Sequence, residues 1–298
     1  MATIYTHQDQ NIRKTWFLMI GFFIVVAGLG YLFSFIYNSP GIFYGAIILS
    51  ILMNVFSYWF SDKIVIATTG ARPVSREEHR ELWNIVENLA ITAGLPMPRV
   101  YIVDDPAPNA FATGRNKEHA VVAVTTGLLG ILDRSELEGV IAHELSHVGN
   151  RDMLVSTVAV VLVGVVTLLS DFFLRMAGFG RHGDGDRKVH PVVFIIAIVL
   201  AILSPIIATL MQLAISRKRE FLADASGVLL TRYPDGLASA LKKIGEYSRP
   251  MQRANHATAH LFLSNPFGSK KNGTGFLTKL FMTHPPVEDR IKALLGQK

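Results

Sequence analysis

The sequence contains no cysteine. That removes disulfide staples, thiolate-bound zinc, iron–sulfur clusters and a cysteine nucleophile in one step, while leaving the compartment open. Charge is scarce as well: 17% of residues are Asp, Glu, Lys or Arg, 50% are apolar, and the mean hydropathy is +0.34. A disordered chain needs the opposite balance. The length of 298 residues would suggest roughly two soluble domains of ~150 residues, but so apolar a chain reads as a membrane protein with soluble parts. No stretch interleaves Lys and Arg with aromatics on one face, which argues against nucleic acid as a partner. No repeat recurs at periods of about 20–50 residues. The net charge of +6 then points to anionic lipid or to the positive-inside bias.

What the chain does have is long uncharged runs. Thr15 to Ser61 is 47 residues without a formal charge, broken only by Asn38, Ser39, Pro40 and Gly41. Two membrane helices, Trp16 to Phe35 and Ile42 to Phe60, fit the run, each spanning ~30 Å at ~1.5 Å per residue. Trp16, Tyr44 and Trp59 are placed as interfacial anchors. A third span is read at Met153 to Ser170 and a fourth at Pro191 to Ser216. Outside these spans Lys and Arg number 2 before the first, 9 between the second and third, 4 in the loop 171–190 and 14 after the fourth. The positive-inside rule therefore places both termini and the segment between the second and third spans in the cytoplasm, with the 171–190 loop outside.

The soluble parts carry helix signals and a little strand. Ser75 with Glu78 reads as a capping box ahead of Leu82, Trp83, Val86, Leu89 and Ala90. Val100 to Val103 and Ala120 to Thr125 are β-rich runs separated by a turn-rich stretch, which predicts a small sheet. Ser135 with Glu138 reads as a second capping box, opening a helix expected to run on into the third span.

That helix contains His143-Glu144-Leu145-Ser146-His147. In H-E-x-x-H the two histidines fall at i,i+4 on one helix face and can grip one zinc ion, while the intervening glutamate reaches the metal's water. A catalytic zinc needs a third protein ligand and an open position. The extended metzincin pattern is excluded because position 153 is Met, not His. The strongest candidate is Glu220, in Arg219-Glu220-Phe221-Leu222-Ala223-Asp224, with Asp224 on the same face at i,i+4. His147 lies six residues before the third span and Glu220 four after the fourth, so both fall just outside one membrane face. The expected chemistry is hydrolytic: one Zn²⁺ per chain, held by His143, His147 and Glu220, lowers the pKa of water toward ~7. Glu144 acts as general base and then general acid, and Asp224 orients a ligand histidine.

His143 to His147, the segment Arg219 to Asp224, the late Thr283-His284-Pro285-Pro286 and Pro108-Asn109-Ala110-Phe111-Ala112-Thr113-Gly114 together resemble the membrane zinc metalloproteases of the gluzincin group, which also contains the CAAX prenyl endoproteases. The likeness covers nearly the whole chain. It implies a bacterial inner-membrane endopeptidase acting at the cytoplasmic face in membrane-protein quality control and stress response, with the bilayer, polypeptide substrates and other quality-control proteases as partners. It also implies that His284 stabilises an oxyanion, and that Asn109 and the run Ala120 to Thr125 face substrate, where an extended peptide could add to an exposed sheet edge.

The expected fold class is a mainly α membrane protein: four transmembrane helices plus a zincin-like α+β catalytic domain split across the chain. Its parts are 1–61 (hairpin of two spans), 62–152 (cytoplasmic part with the sheet and zinc helix), 153–216 (second pair of spans) and 217–298 (helical part completing the site). Rival readings fare worse. A zinc transporter should carry ligands inside its spans, and none of the four segments holds a charge or a histidine. A non-enzymatic membrane protein with a structural zinc wants four protein ligands and leaves Glu144 without a role. His256 and His260 repeat the i,i+4 spacing without a glutamate and read as loop residues. His182, Asp184, Asp186 and His190 lie among glycines that would leave a metal site unorganised.

Overall fold

The computed structural model describes residues 4–159, 161–162, 217–254, 258–268 and 285–296. The third and fourth expected spans, apart from the start of the third, lie outside these residues, as do His284, His256 and the 171–190 loop.

Two long helices, α1 (Ile4–Ile36) and α2 (Pro40–Thr69), form an antiparallel hairpin. The turn follows from sequence: Asn38 takes a left-handed φ of 48° and Pro40 opens α2, where its missing N–H costs nothing. The Asn54 amide donates to the Met19 carbonyl at 3.2 Å, and Tyr31 meets Phe43 edge-on at 5.8 Å. Both helices are long and apolar enough to cross a membrane, and most of each apolar window is unburied by protein. Core helices of soluble proteins are instead covered, so Phe17, Ile24, Phe35, Leu52 and Phe56 present an outer face suited to lipid. Trp16, Tyr44 and Trp59 are all exposed. Each helix outruns the expected span. α2 continues past position 61 to Thr69, burying Val65 in a cluster with Val103, Phe111, Ala123 and Phe262, and stops where Gly70 adopts φ 70° and its N–H caps the Ile66 carbonyl.

The soluble part is built on a four-stranded sheet in the order β1-β2-β4-β3: β1 Arg72–Pro73, β2 Arg99–Val103, β3 Ala110–Thr113 and β4 Val121–Thr125. β2 and β4 run parallel, and the other neighbours are antiparallel. The run expected to expose a sheet edge is instead the buried centre of the sheet. Ala110–Thr113, read from sequence as part of a turn-rich stretch, folds back along β4, pairing Ala110 with Val124 and Thr113 with Val121, and takes the edge itself.

One face of the sheet packs on α3 (Arg80–Thr92) and α5 (Arg134–Gly149), which is joined to β4 by the short α4 (Thr126–Ile131). Ile102, Val122, Val124, Leu137, Val140, Ile141 and Leu145 are buried together, each side chain contributing about 1.5–3 kcal/mol. Among the described residues, α6 (Arg217–Thr231), α7 (Pro234–Glu246) and α8 (Val287–Leu294) add to this part.

Three local expectations shift. The Ser75 N–H does donate to Glu78 at 3.0 Å, but this closes a turn ahead of α3, whose N-cap is His79. The capping box of α5 is Asp133 with Glu136, two residues before the expected pair: Glu136 is also held by Lys243 at 2.7 Å and Ser239 at 2.5 Å, whereas Glu138 pairs along the helix with Arg134. Nor does α5 continue into the third span. It ends at Gly149, Asn150 caps it, and Arg151 takes a left-handed φ of 56° before helix resumes at 152.

Candidate metal centre

α5 and α6 pack side by side, and Gly227 sets how closely. A Cβ there would lie 3.0 Å from the His143 nitrogen and 3.2 Å from the Ala142 carbonyl carbon. Gly227 is one turn beyond Asp224 and two beyond Glu220, so the bare stripe on α6 brings both carboxylates onto the face of α5 that carries His143 and His147.

Ligand atoms of His143, His147 and Glu220 lie within 4.8 Å of one another. The two Nε2 atoms are 3.2 Å apart, and the Glu220 carboxylate oxygens stand 3.8 Å from that of His143 and 3.6 Å from that of His147. Two donors on one tetrahedral ion with ~2.0–2.1 Å bonds are about 3.3 Å apart. The donor set therefore fits such an ion with little movement.

The far side of each imidazole is fixed by a carboxylate. His143 Nδ1 meets Asp224 at 2.8 Å and His147 Nδ1 meets Asp152 at 3.1 Å, so each ring is assigned its proton on Nδ1 and turns a bare Nε2 lone pair inward. Two such lone pairs facing a carboxylate repel unless a positive charge sits among them. The same carboxylates favour a positive charge at this point: burial lowers the pKa of His147, but Asp152, Glu220 and Glu144 outweigh it and raise the value to about 9, so without an ion a proton on Nε2 takes that place.

Both orienting carboxylates are themselves held. Arg290 of α8, 1% exposed, clasps Asp224 with two bonds, Nε to Oδ2 at 2.9 Å and Nη2 to Oδ1 at 2.6 Å. Burial alone would raise the pKa of Asp224, yet His143 and Arg290 bring it down to about 2. Asp152 accepts from Arg219 at 2.9 Å and from Asn11 of α1 at 2.7 Å, and Asn11 also donates to the Asn150 carbonyl at 2.9 Å. Through this network the first membrane helix reaches a candidate ligand. The break at Asn150 and Arg151 makes it possible: on an unbroken helix, positions 147 and 152 would sit ~140° apart.

Asp152, Asn11, Arg219 and Arg290 are thus functional candidates that the sequence reading did not single out. For Arg290 a signal existed, since Val287, Ile291 and Leu294 form an apolar helical stripe with this arginine in its middle. Asp152 had only its place soon after the motif.

The donor set opens on a cavity of about 30 Å³, room for a water beside an ion, whose walls include Glu144, Ala112 of β3, Met153, Leu261 and Leu263. Asn109 does not reach it. The residue is 1% exposed, and its side chain bridges to the Ser264 backbone with a 3.0 Å bond from Nδ2 and a 3.1 Å bond to Oδ1. With the Leu263 N–H on the Ala110 carbonyl at 2.9 Å, this seats residues 261–264 against the edge of β3. Strand alternation turns the backbone groups of Ala112 toward that same edge.

The model of Peptidase family M48 matches residues 76–298. The chain belongs to this peptidase family. It is 45% identical over 298 residues to a protease HtpX homolog of Caldanaerobacter subterraneus subsp. tengcongensis, covering 98% of this chain and 97% of that one. It is 50% identical over 283 residues to a protease HtpX homolog of Pyrococcus furiosus, covering 94% of each. Among solved structures, Ste24p of S. mikatae is similar in fold, with a TM-score of 0.50 and 19% identity, covering 94% of this chain and 66% of that one. The M48 chain is thus a membrane metalloendopeptidase, as its motif and its apolar helices led us to expect.

Proposed function

We propose that this chain is a zinc-dependent endopeptidase of the bacterial plasma membrane that crosses it four times and cleaves misfolded or membrane proteins at the cytoplasmic face. The parts are 1–61 and 153–216 as membrane pairs, 62–152 and 217–298 as the two halves of the catalytic unit. The observation that carries the reading is the pairing of a three-donor set, His143, His147 and Glu220, with a separate carboxylate, Glu144, on the same small cavity. A structural zinc site would fill its fourth position with protein. Zinc fits the two imidazoles and one carboxylate, and the relatives' name, protease, supports hydrolysis.

When bound, the ion supplies a Lewis acid that acidifies water and polarises a carbonyl. His143 and His147 hold their lone pairs inward because Asp224 and Asp152 keep the opposite nitrogens protonated. Glu144 takes the proton of the attacking water and passes it to the leaving amine. An extended substrate backbone pairs with the edge of β3 at Ala112, next to the stretch already held by Leu263, and Asn109 serves substrate binding by fixing residues 261–264 there. His284 is assigned to the oxyanion. The support is its position just before Pro285 and Pro286, which lead into the helix whose Arg290 reaches Asp224.

Two measurements test this reading. Metal-stripped full-length protein should fail to cleave an unfolded model protein and recover on addition of one zinc per chain; recovery without metal would contradict it. Because the chain has no native cysteine, Gly183→Cys and Arg134→Cys report topology directly. An impermeant maleimide added to intact cells should label the first only, and labelling of the second would reverse the orientation.

A further inference from the structure

Where α2 leaves its uncharged run, the protein has a second cavity, about 390 Å³, away from the metal centre. One wall is aromatic: Trp59 is 51% and Phe60 41% exposed, and Phe60 stacks at 4.9 Å on Phe56, which continues the outer face of α2. Basic side chains share the lining: Lys63, Arg99, Arg115 and His119. Among the described lining residues only Asp62 opposes these charges, and it is bound to Arg99 at 2.6 Å. Three cations against one carboxylate leave the cavity positive, and among the described residues neither Lys63 nor Arg115 has a carboxylate partner.

Arg115 is held in place without being neutralised. Its guanidinium lies 4.6 Å from the centre of the Trp59 ring, Nη1 donates to the Trp59 carbonyl at 3.3 Å, and Nη2 lies 2.6 Å from His119 Nε2. The His119 Nδ1 is in turn 2.6 Å from the Asn116 side-chain oxygen, so His119 donates there and accepts from Arg115. Lys63 lies with Nζ 5.2 Å from the Phe60 ring centre. Such a fork, positioned by neutral partners and left cationic, suits a phosphate oxyanion. The exposed aromatic wall continues into the outer apolar face, which a free phosphate cannot use and an acyl chain can.

We infer that this cavity binds the headgroup of an anionic phospholipid, with Arg115 and Lys63 on the phosphate and Trp59 and Phe60 along the first part of the acyl chains. Basic pockets beside membrane helices on the cytoplasmic side take such headgroups, and the proposed topology puts this end of α2 on that side. The site ties α2 to the β3–β4 turn that carries Arg115, so an occupied cavity joins the bilayer to the sheet beside the metal centre.

The test is a lipid titration of purified full-length protein in detergent, read by native mass spectrometry, with dioleoylphosphatidylglycerol, dioleoylphosphatidylcholine and inorganic phosphate as separate ligands. One phosphatidylglycerol should bind per chain in preference to phosphatidylcholine and withstand millimolar phosphate. Lys63→Gln and Arg115→Gln should each weaken it about fivefold, while Lys242→Gln, an exposed site elsewhere, should leave it unchanged. Lys63 is exposed, so its variant keeps the test open should Arg115→Gln unfold. Equal affinity for the two lipids, or full-strength binding by Lys63→Gln, overturns the assignment. Displacement by phosphate alone would mark a site for soluble anions and overturn the lipid reading.

Discussion

Replacing Arg290 by Met is the sharpest structural test of the centre, because it removes one partner of a buried pair and keeps the side-chain volume similar. Arg290 and Asp224 have side chains 1% and 4% exposed and share two short bonds. Deleting one member of such a pair typically costs about 3–5 kcal/mol, since the remaining charge stays buried without its counterion. Asp224 keeps its 2.8 Å contact with His143, which places the loss near the lower limit, about 3 kcal/mol. For a chain of this size that is roughly a 6–12 °C drop in melting temperature. The assay is thermal and urea unfolding of metal-free protein in detergent. Adding Asp224→Asn to Arg290→Met removes the stranded charge and should recover at least about 1 kcal/mol. A single-variant loss below about 1 kcal/mol, or a double variant whose losses simply add, would refute the reasoning that this pair is a mutually dependent buried unit.

Other outcomes follow from the same contacts. Asp152→Asn should weaken zinc binding about 10–100-fold, the usual effect of losing a carboxylate that orients a ligand histidine. Asn11→Ala, in the first membrane helix, should weaken it by a smaller factor; zinc affinity by competition with a chelator checks both, and an unchanged affinity in Asp152→Asn would break the proposed link. Glu136 gives a pH dependence far from the metal. Burial raises its pKa, but Lys243, Ser239 and the Asp133 backbone outweigh this, and the result lies below the ordinary 4.5. Its stabilisation is therefore present above pH 4.5 and lost as pH falls through the lower folded value. Glu136→Gln should cost about 2 kcal/mol at pH 7, and the difference from wild type should shrink as urea titrations move below pH 4.5; a difference independent of pH would contradict the assignment.

The sequence announced the parts of the site that lie within one element or rest on strong local chemistry. His143 and His147 are legible because a helix turns i and i+4 to one face, and the α1–α2 hairpin because no charge interrupts Thr15 to Ser61. What stayed hidden depends on long-range geometry. Ala110–Thr113 is too short and too plain to signal a strand, and its role as the edge comes from folding back on β4. The capping box moved to Asp133 and Glu136 because Ser239 and Lys243, 103 and 107 residues after Glu136, reach it from another helix. Asp152 became a partner of His147 only through the left-handed turn at Arg151, which no periodicity in the sequence marks. Asn11 and Arg290 come from opposite ends of the chain and are drawn to the centre by the buried charges they satisfy.

The account rests most heavily on Glu144 being the proton carrier of a hydrolytic centre whose metal is held by other residues. The direct measurement compares wild type with Glu144→Gln, each purified at full length, stripped and reloaded with one zinc per chain, on an unfolded model protein. The account predicts equal zinc binding in both and cleavage by wild type alone, with turnover by the variant at least about 10²–10⁴-fold lower. Cleavage by Glu144→Gln at the wild-type rate, or its failure to hold zinc, would contradict that assignment.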